Sequence, residues 1–302
     1  MSTISARALP EDSTVPGAGP GIHWPVIVFF AAILAACYAT VFYHLGLQWI
    51  QDEDMGHGFF VPLIAGYIAW TRREELARIE AKPNYWGLAL IAWGAIQMLI
   101  GALMAELFLS RTAFLFSLVG VLLVMGGTAL VRALAFPLFL LVFMIPIPRI
   151  IYSQITLPLQ LFASTVAEKA LNVMGIPALR DGNILHLPSE DLSVVEACSG
   201  IRSLLSLSFL SLIYAYFFDK KVWMRGALLA ATVPIAIAAN AGRVTMTGIL
   251  SEYAPSVAHG VFHELEGGVL FLVALMILIV VHQAINRVYD VYKKRRPVGE
   301  AQ

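Results

Sequence analysis

Charged side chains are scarce in this chain. Asp, Glu, Lys and Arg together make up 13% of its 302 residues, whereas hydrophobic residues make up 59%, and the mean hydropathy is +0.78. A soluble domain has about a quarter of its residues charged, so this composition predicts an integral membrane protein. The 20 basic and 20 acidic residues cancel, which leaves no basic surface for nucleic acid and argues against it as a partner.

Cysteine is scarcer still, with only Cys37 and Cys198 in the sequence. Two cysteines this far apart do not make a disulfide framework or a zinc site, and no metal or other cofactor is expected. Cys37 lies inside an apolar run and is expected to be a passive packing residue. Cys198 instead lies where a short polar stretch meets a long apolar run, which makes it the candidate for chemistry.

Three parts are expected along the chain. Residues 1–21 are rich in Pro, Gly and Ser and lack apolar periodicity, which predicts a disordered cytoplasmic tail. Residues 22–290 are expected to form a single integral membrane domain, and residues 291–302 a basic cytoplasmic tail. The first apolar run, Trp24–Leu47, is longer than a signal-peptide core and has no small-residue cleavage site, so we interpret it as a retained anchor.

The predicted fold class is an all-α polytopic membrane protein, because apolar runs of about 20 residues indicate membrane-crossing helices. About eight such helices are expected. A further segment, Ile150–Gly175, carries Gln, Glu and Lys side chains beside a leucine-rich face, which indicates an interfacial or re-entrant helix. The eight predicted spans are Trp24–Leu47, His57–Thr71, Trp86–Ala105, Thr112–Val131, Ala133–Ile147, Ile201–Phe218, Trp223–Ala241 and Gly267–Ile285.

The positions of Lys and Arg predict the orientation, because cytoplasmic loops carry an excess of them. Even-numbered spans are followed by basic residues, for example Lys220 and Lys221 after the sixth, whereas acidic residues such as Asp52 and Glu106 follow odd-numbered spans. Both termini are therefore expected in the cytoplasm. The same alternation places the start of the sixth span, the end of the seventh and the start of the eighth on the outer face.

Cys198 is expected near the N-terminus of the sixth span. Unpaired N–H groups at a helix N-terminus, and a neighbouring Arg or protonated His, stabilise the thiolate that acts as a nucleophile. Residues 192–195 are expected to form a short extended piece that leads into this helix. The alternative is a small residue tucked into a turn between helices, and residue type alone does not decide between the two.

Two further groups reach the same face. Arg243 directly follows an apolar span, where a guanidinium pairs with a partner, snorkels or serves a site, and its donors suit an oxyanion or a carbonyl. His263 lies one turn before the last span, and its imidazole suits proton exchange near neutral pH. His259 competes for that role, and we favour His263.

Other polar residues have both functional and ordinary interpretations. Asp54 and His57, in the first outer loop, could contact substrate or a metal, although an acidic loop is more often only hydrated. Asp181 and Asn183 have the composition of a turn.

The combined motifs resemble the exosortase/archaeosortase family over roughly residues 52 to 271. Cys-Ser-Gly-Ile-Arg with a downstream Asn-x-x-Arg and Phe-His-x-x-x-Gly, in this order and topology, is a specific combination. The matching stretches are Glu-Ala-Cys-Ser-Gly-Ile-Arg-Ser-Leu (Glu196–Leu204), Asn-Ala-Gly-Arg-Val (Asn240–Val244), Phe-His-Glu-Leu-Glu-Gly (Phe262–Gly267) and Gly-His-Gly-Phe-Phe-Val-Pro (Gly56–Pro62).

The resemblance implies a multi-pass cysteine transpeptidase of the bacterial inner membrane, with its active site on the periplasmic face. Such an enzyme is expected to recognise a C-terminal sorting signal of the PEP-CTERM type on membrane-anchored secreted proteins, and to transfer the cleaved protein to a lipid or glycan acceptor. Carried over by position, Cys198 is the nucleophile, Arg243 a proton donor or oxyanion stabiliser, and His263 the third member. Substrate-binding or supporting roles are expected for Glu196, Ser199, Arg202, Asn240, His57 and Asp54.

Other classes of protein fit part of the pattern. In a transporter or channel component of extracellular polysaccharide assembly, Arg243, His263 and Asp54 would line a polar pathway. Transporter folds often contain internal repeats, and no repeat is evident in the sequence. A protease that only hydrolyses and a non-enzymatic scaffold are the remaining alternatives.

Overall fold

Helices dominate the computed structural model, which describes residues 24–194, 201–254 and 261–295. Within those ranges, side chains are described except at 24–28, 53, 261–267 and 294–295. The elements are helices α1 (Trp24–Cys37), α2 (Ala39–Gln51), α3 (Phe60–Thr71), α4 (Arg73–Ala77), α5 (Trp86–Leu103), α6 (Leu107–Ala133), α7 (Ala135–Leu140), α8 (Arg149–Val173), α9 (Ile201–Phe218), α10 (Val222–Tyr253) and α11 (Val261–Arg295), 3-10 helices Glu53–Phe59 and Leu141–Met144, and strands β1 (Leu179–Asp181), β2 (Ile184–His186) and β3 (Asp191–Ser193).

Six of the described helices are long and apolar enough to cross a membrane. In addition, the helices Phe29–Cys37 and Ala39–Gln51 form a broken pair whose axes are bent by 69°. If this pair is one span, the number of candidate spans is seven. The chain is therefore a mostly helical, polytopic membrane protein, as the sequence predicts. The six are α5, α6, α8, α9, α10 and the Gly268–Lys293 part of α11.

The predicted count of eight spans is not confirmed. The second predicted span, His57–Thr71, corresponds to the 12-residue helix α3 behind a 3-10 helix, and the fifth, Ala133–Ile147, to a short helical stretch over Ala135–Met144. Neither reaches the roughly 20 residues of a regular crossing. Conversely, the segment expected to be interfacial or re-entrant forms a continuous helix, α8, with the length and composition of a span. Hydropathy locates apolar runs, but not the points at which a run changes to 3-10 geometry.

The described residues form two compact units, of which the first comprises those within 24–46 and 60–145. In this unit, α5 and α6 pack as an antiparallel pair. Three glycines, buried at intervals of seven residues along α5, face small residues of α6, so that a side chain at any of them would overlap α6. This stripe of small residues sets how closely the two helices approach. The facing pairs are Gly87 with Gly120, Gly94 with Ser117, and Gly101 with Ser110.

Helix α6 is kinked at Gly127, which has a φ of +73°. The carbonyl oxygen of Lys82 occupies the space in which the Cβ of any other residue would lie. Both the backbone conformation and the contact therefore require glycine. Nearby, the N–H of Asn84 donates to the carbonyl of Leu123 at 2.9 Å, which holds the segment before α5 against α6.

The second unit comprises the described residues within 47–59 and 146–295, and α9, α10 and α11 form a bundle in it. Buried leucine, alanine and methionine side chains fill the centre of this bundle. The hydroxyls of Ser208 and Thr232, 3.2 Å apart, set the register of α9 against α10. The hydroxyl of Tyr214 and Nδ1 of His282, 3.0 Å apart, set the register of α9 against α11.

A small antiparallel sheet, with strand order β1-β2-β3, adds to the mostly helical fold three strands that the sequence did not predict. Its buried leucines, Leu185 and Leu192, belong to one core cluster with Ala163 and Ala167 of α8. The predicted turn is confirmed, because β1 and β2 are joined at Gly182, which has a φ of +61°. The extended piece expected before α9 is also found, as β3. Strands of three residues are too short to show the alternating pattern by which sequence reveals a strand.

Two contacts locate the ends of α8 relative to α9 and α10. Near its start, Tyr152 donates a hydrogen bond to Asp54, which also pairs with Arg202 in the first turn of α9. Near its end, Leu171 packs against Gly248 of α10. At 1.5 Å per residue, Gly248 lies about 13 Å farther along α10 than the level at which α9 begins. Helix α8 therefore runs beside the part of α10 that extends past α9, rather than beside α9 itself.

Candidate active site

The carboxylate of Asp54 joins three segments of the second unit. It lies in the 3-10 helix Glu53–Phe59, and 19% of its side chain is exposed. Its Oδ1 accepts a hydrogen bond from Nε of Arg202 at 3.1 Å, and its Oδ2 accepts one from the hydroxyl of Tyr152 at 2.7 Å. Because these partners lie in the first turns of α9 and α8, Asp54 fixes the starts of both helices, and a charge-assisted bond is the stronger kind.

His57 contacts α9 one turn farther along. Its Nδ1 lies 3.5 Å from Oγ of Ser206, and its ring centre lies 6.0 Å from that of Phe209. Arg202 and Ser206 are four residues apart and therefore share a face of α9. The 3-10 helix thus packs along the first two turns of the helix that Cys198 precedes by three residues.

A cavity of about 420 Å³ lies beside Asp54. One wall is fixed by Asp52, whose carboxylate accepts hydrogen bonds from the amide of Gln48 at 3.3 Å and from the N–H of Asp54 at 3.0 Å. Polar and apolar side chains are mixed in the lining, which suits a peptide better than a purely apolar ligand. The lining residues are Gln48, Asp52, Asp54, Met55, Pro146, Ile147, Arg149, Tyr152, Ser153 and Leu205.

Asn240 and Arg243 are three residues apart on α10 and therefore lie on one face of it. Arg243 is half-buried. Asn240 is only 7% exposed, and its side-chain amide forms no hydrogen bond with any residue that the structure describes. An amide that keeps its hydrogen-bonding capacity in a mostly buried side chain is available to a ligand, which makes Asn240 a candidate for binding substrate.

Helix register brings the candidate positions to similar levels of the bundle. Counted from the hydroxyl pair that joins α9 to α10, Arg243 lies about 6 Å beyond the start of α9 at 1.5 Å per residue. Counted from the contact that joins α9 to α11, the backbone of His263 lies about 9 Å beyond the same start. Arg243 and the backbone of His263 therefore lie toward the end of the bundle at which α9 begins. In sequence, Cys198 precedes α9 by three residues.

The structure describes some of the predicted site residues in full, one by its backbone only, and others not at all. Asp54 and His57 contact α9 through Arg202 and Ser206, and Asn240 and Arg243 lie together on α10. The backbone of His263 belongs to α11, but its side chain is not among those described. Four further positions lie outside the described residues, namely Glu196, Cys198, Ser199 and His259.

Tyr152 is a site residue that sequence reasoning missed. It lies in the segment assigned to the membrane interface, and 98 positions separate it from Asp54. A tyrosine beside an apolar run carries no signal of such a partner, since only the fold brings the two together. Within the described ranges, no three side chains of His, Cys, Asp or Glu come together in a way that could hold a metal ion.

A family model described as transmembrane exosortase (Exosortase_EpsH) matches residues 49–280. This match covers most of the chain, and the range includes all the candidate site residues from Asp54 to His263. No curated protein and no solved structure matches the sequence.

Proposed function

Because the chain belongs to the transmembrane exosortase family, we propose that it is a membrane-embedded cysteine transpeptidase. Its substrates are secreted proteins with a C-terminal sorting signal of the PEP-CTERM type. The observation that carries this proposal is the register of the bundle, in which Arg243 and the backbone of His263 lie within about 10 Å, along the axis, of the start of α9. A nucleophile, an oxyanion donor and a proton carrier need such proximity.

In the first half-reaction, the thiolate of Cys198 attacks the carbonyl carbon of the scissile amide and forms a C–S bond. The guanidinium of Arg243 and the amide of Asn240 donate hydrogen bonds to the resulting oxyanion. The C–N bond then breaks, and His263 gives the leaving amine the proton that it took from the thiol. The acyl group remains on the sulfur as a thioester.

In the second half-reaction, a hydroxyl or amine of a lipid or glycan acceptor attacks the thioester carbonyl. His263 takes the proton of the acceptor, the C–S bond breaks, and the thiol is restored. The net reaction exchanges one acyl bond for another, so it requires no oxidant and no nucleotide. Water in place of the acceptor would give hydrolysis instead.

The surrounding residues position the reacting groups in this proposal. Asp54 and His57 hold the first two turns of α9, and with them the segment that carries Glu196, Cys198 and Ser199 in sequence. Arg202 is the residue through which Asp54 acts. The cavity beside Asp54 receives the extended part of the sorting signal, and its mixed lining supports that assignment.

We place the protein in the bacterial inner membrane, with both termini in the cytoplasm and the active site on the periplasmic face. The alternation of basic and acidic loops supports this orientation. The domain limits are those expected from the sequence, with the membrane domain at residues 22–290 between two cytoplasmic tails. The position of α8 on the side from which α9 begins supports an interfacial helix rather than a crossing.

Co-expression with a sorting-signal protein tests the proposal, with SDS gel mobility and mass spectrometry of the substrate C-terminus as the measurements. Cys198→Ala is expected to abolish processing, by at least a hundredfold, while the protein still accumulates in the membrane. Cys37→Ala is the matched control, because this other cysteine is exposed and free, and it should process normally. Cleavage by Cys198→Ala would overturn the proposal. A mass corresponding to acceptor plus substrate separates transfer from hydrolysis.

A further inference from the structure

A buried guanidinium in the first unit has no hydrogen-bond or ion-pair partner among the residues that the structure describes. Arg111, in the second turn of α6, is 5% exposed. Its Nε is enclosed and has no hydrogen-bond partner. Among the described residues, no carboxylate lies within the 4.0 Å of an ion pair with Arg111, and none accepts a hydrogen bond from it.

The carboxylate that acts on Arg111 is that of Glu106, which precedes α6. The two side chains do not meet, and one carboxylate oxygen of Glu106 is itself buried without a partner. Ionised side chains within membrane segments pair with one another or mark a functional site, because an unpaired charge there is costly. An anion that reaches Arg111 from outside the described part of the chain would therefore compensate its charge.

A cavity of about 200 Å³ gives an anion access to Arg111. Its walls are mostly apolar and come from α2, the α5–α6 turn and both helices of that pair, all within the first unit. The exposed residues Thr40 and His44 lie on the α2 side, and Ser110 lines the cavity together with Arg111 on the α6 side. The lining is completed by Val41, Met98, Gly101, Ala102, Ala105 and Leu107.

We propose that this cavity binds the phosphate of a membrane phospholipid, with Arg111 as the counterion and the apolar walls against the lipid hydrocarbon. Free phosphate would neutralise the guanidinium but leave the apolar walls uncovered. A neutral lipid would cover the walls but leave the charge unpaired. A phosphodiester attached to acyl chains meets both requirements, and arginine binds phosphate oxygens through two parallel hydrogen bonds. The inference is independent of the proposed transpeptidase activity.

Native mass spectrometry of the delipidated, full-length protein in detergent tests the site by titration with dioleoylphosphatidylglycerol. The wild type is expected to bind one lipid more tightly than any further one, and Arg111→Gln to weaken that binding at least tenfold. Arg132→Gln is the control, because Arg132 is an exposed arginine on the same helix, and it should bind like the wild type. Equal binding by Arg111→Gln and the wild type would overturn the proposal.

Two further binding measurements with the same protein identify the ligand. Dioleoylglycerol, which lacks the phosphate, should bind the wild type no better than it binds Arg111→Gln, and millimolar inorganic phosphate should not displace the phospholipid. Displacement by inorganic phosphate would show an anion site without lipid specificity and would refute the assignment. If Arg111→Gln does not fold, Thr40→Phe fills the cavity from an exposed position and leaves Arg111 in place. It too should bind at least tenfold more weakly, and unchanged binding would count against the site.

Discussion

Asp219 fastens α11 to the turn between α9 and α10. It is 8% exposed, and its Oδ2 accepts hydrogen bonds from Nε2 of His282 at 3.0 Å and from the amide of Asn286 at 3.1 Å. Its Oδ1 accepts a hydrogen bond from the N–H of Lys221 at 2.7 Å. Burial raises the pKa of Asp219, but these hydrogen bonds and the charge of Lys221 outweigh it and lower the pKa to about 2.

The lowered pKa makes stability depend on pH in a defined direction. Because the carboxyl of Asp219 has an ordinary pKa of 3.8 and a folded pKa of about 2, its contribution is complete above pH 3.8 and is lost as the pH falls toward 2. Asp219→Asn is therefore expected to lower the free energy of unfolding by about 2 kcal/mol at pH 6. It should also reduce the loss of stability between pH 4 and pH 2. Urea titrations in detergent at these pH values measure both effects.

The control for this prediction is Asp290→Asn, which removes an exposed carboxylate from α11 and should change stability by less than about 0.5 kcal/mol. If Asp219→Asn matched the wild type at pH 6, the network around Asp219 would not stabilise the bundle.

Single residues could be predicted from the sequence where they interrupt an apolar run. Arg243 stands out for this reason, and so does Cys198 at the start of a long one. Partners could not be predicted, because Asp219 and His282 are 63 positions apart and each looks like an ordinary loop or helix residue. From the sequence, Lys220 and Lys221 indicate a basic loop. The structure adds that Asp219, the residue before them, is buried.

At the scale of elements, long apolar runs were sufficient to predict α5, α6, α9, α10 and α11. Each contains at least 18 residues of uniform apolar character, so no other assignment competes with a helix. The short helices and the three-stranded sheet could not be predicted in the same way. Their form depends on what they pack against, as where Leu185 of β2 contributes to the same core cluster as Ala163 of α8.

The α5–α6 pair provides a prediction about helix packing. A Cβ on Gly120 would lie 2.7 Å from the carbonyl oxygen of Gly87 and 3.0 Å from the backbone nitrogen of Ile91. Since backbone atoms cannot move aside as a flexible side chain can, Gly120→Ala is expected to destabilise the protein by roughly 1–3 kcal/mol. Unfolding by SDS titration, followed by circular dichroism, measures the change.

Gly66→Ala is the matched control in the same unit. An added Cβ there would have nothing within 4 Å, and alanine favours a helix more than glycine does by up to about 1 kcal/mol. Gly66→Ala should therefore be neutral or stabilising. A loss of stability as large as that of Gly120→Ala would show that helix contact at Gly120 is not the cause.

At the scale of the whole molecule, the low content of charge explains why the chain is a membrane protein, but it does not fix the number of crossings. The deciding element is α8, which has the length and composition of a span. Its contacts nevertheless place Tyr152 at the level where α9 begins, and Leu171 farther along α10 in the direction away from the bundle. If the length and composition of α8 decide its placement, α8 adds one crossing before α9. If its contacts decide, α8 adds none.

Labelling of single cysteines with a membrane-impermeant maleimide, in a Cys37→Ala, Cys198→Ala background, separates the two placements of α8. Ser153→Cys and Val173→Cys occupy exposed positions at its two ends, and both are expected to react from the periplasmic side, like Tyr253→Cys at the end of α10. Lys220→Cys, in the turn between α9 and α10, should react only after the membrane is opened. If α8 crosses the membrane, Ser153→Cys and Val173→Cys will react from opposite sides. That outcome would overturn the interfacial placement of α8, which the contacts of Asp54 with the starts of both α8 and α9 favour.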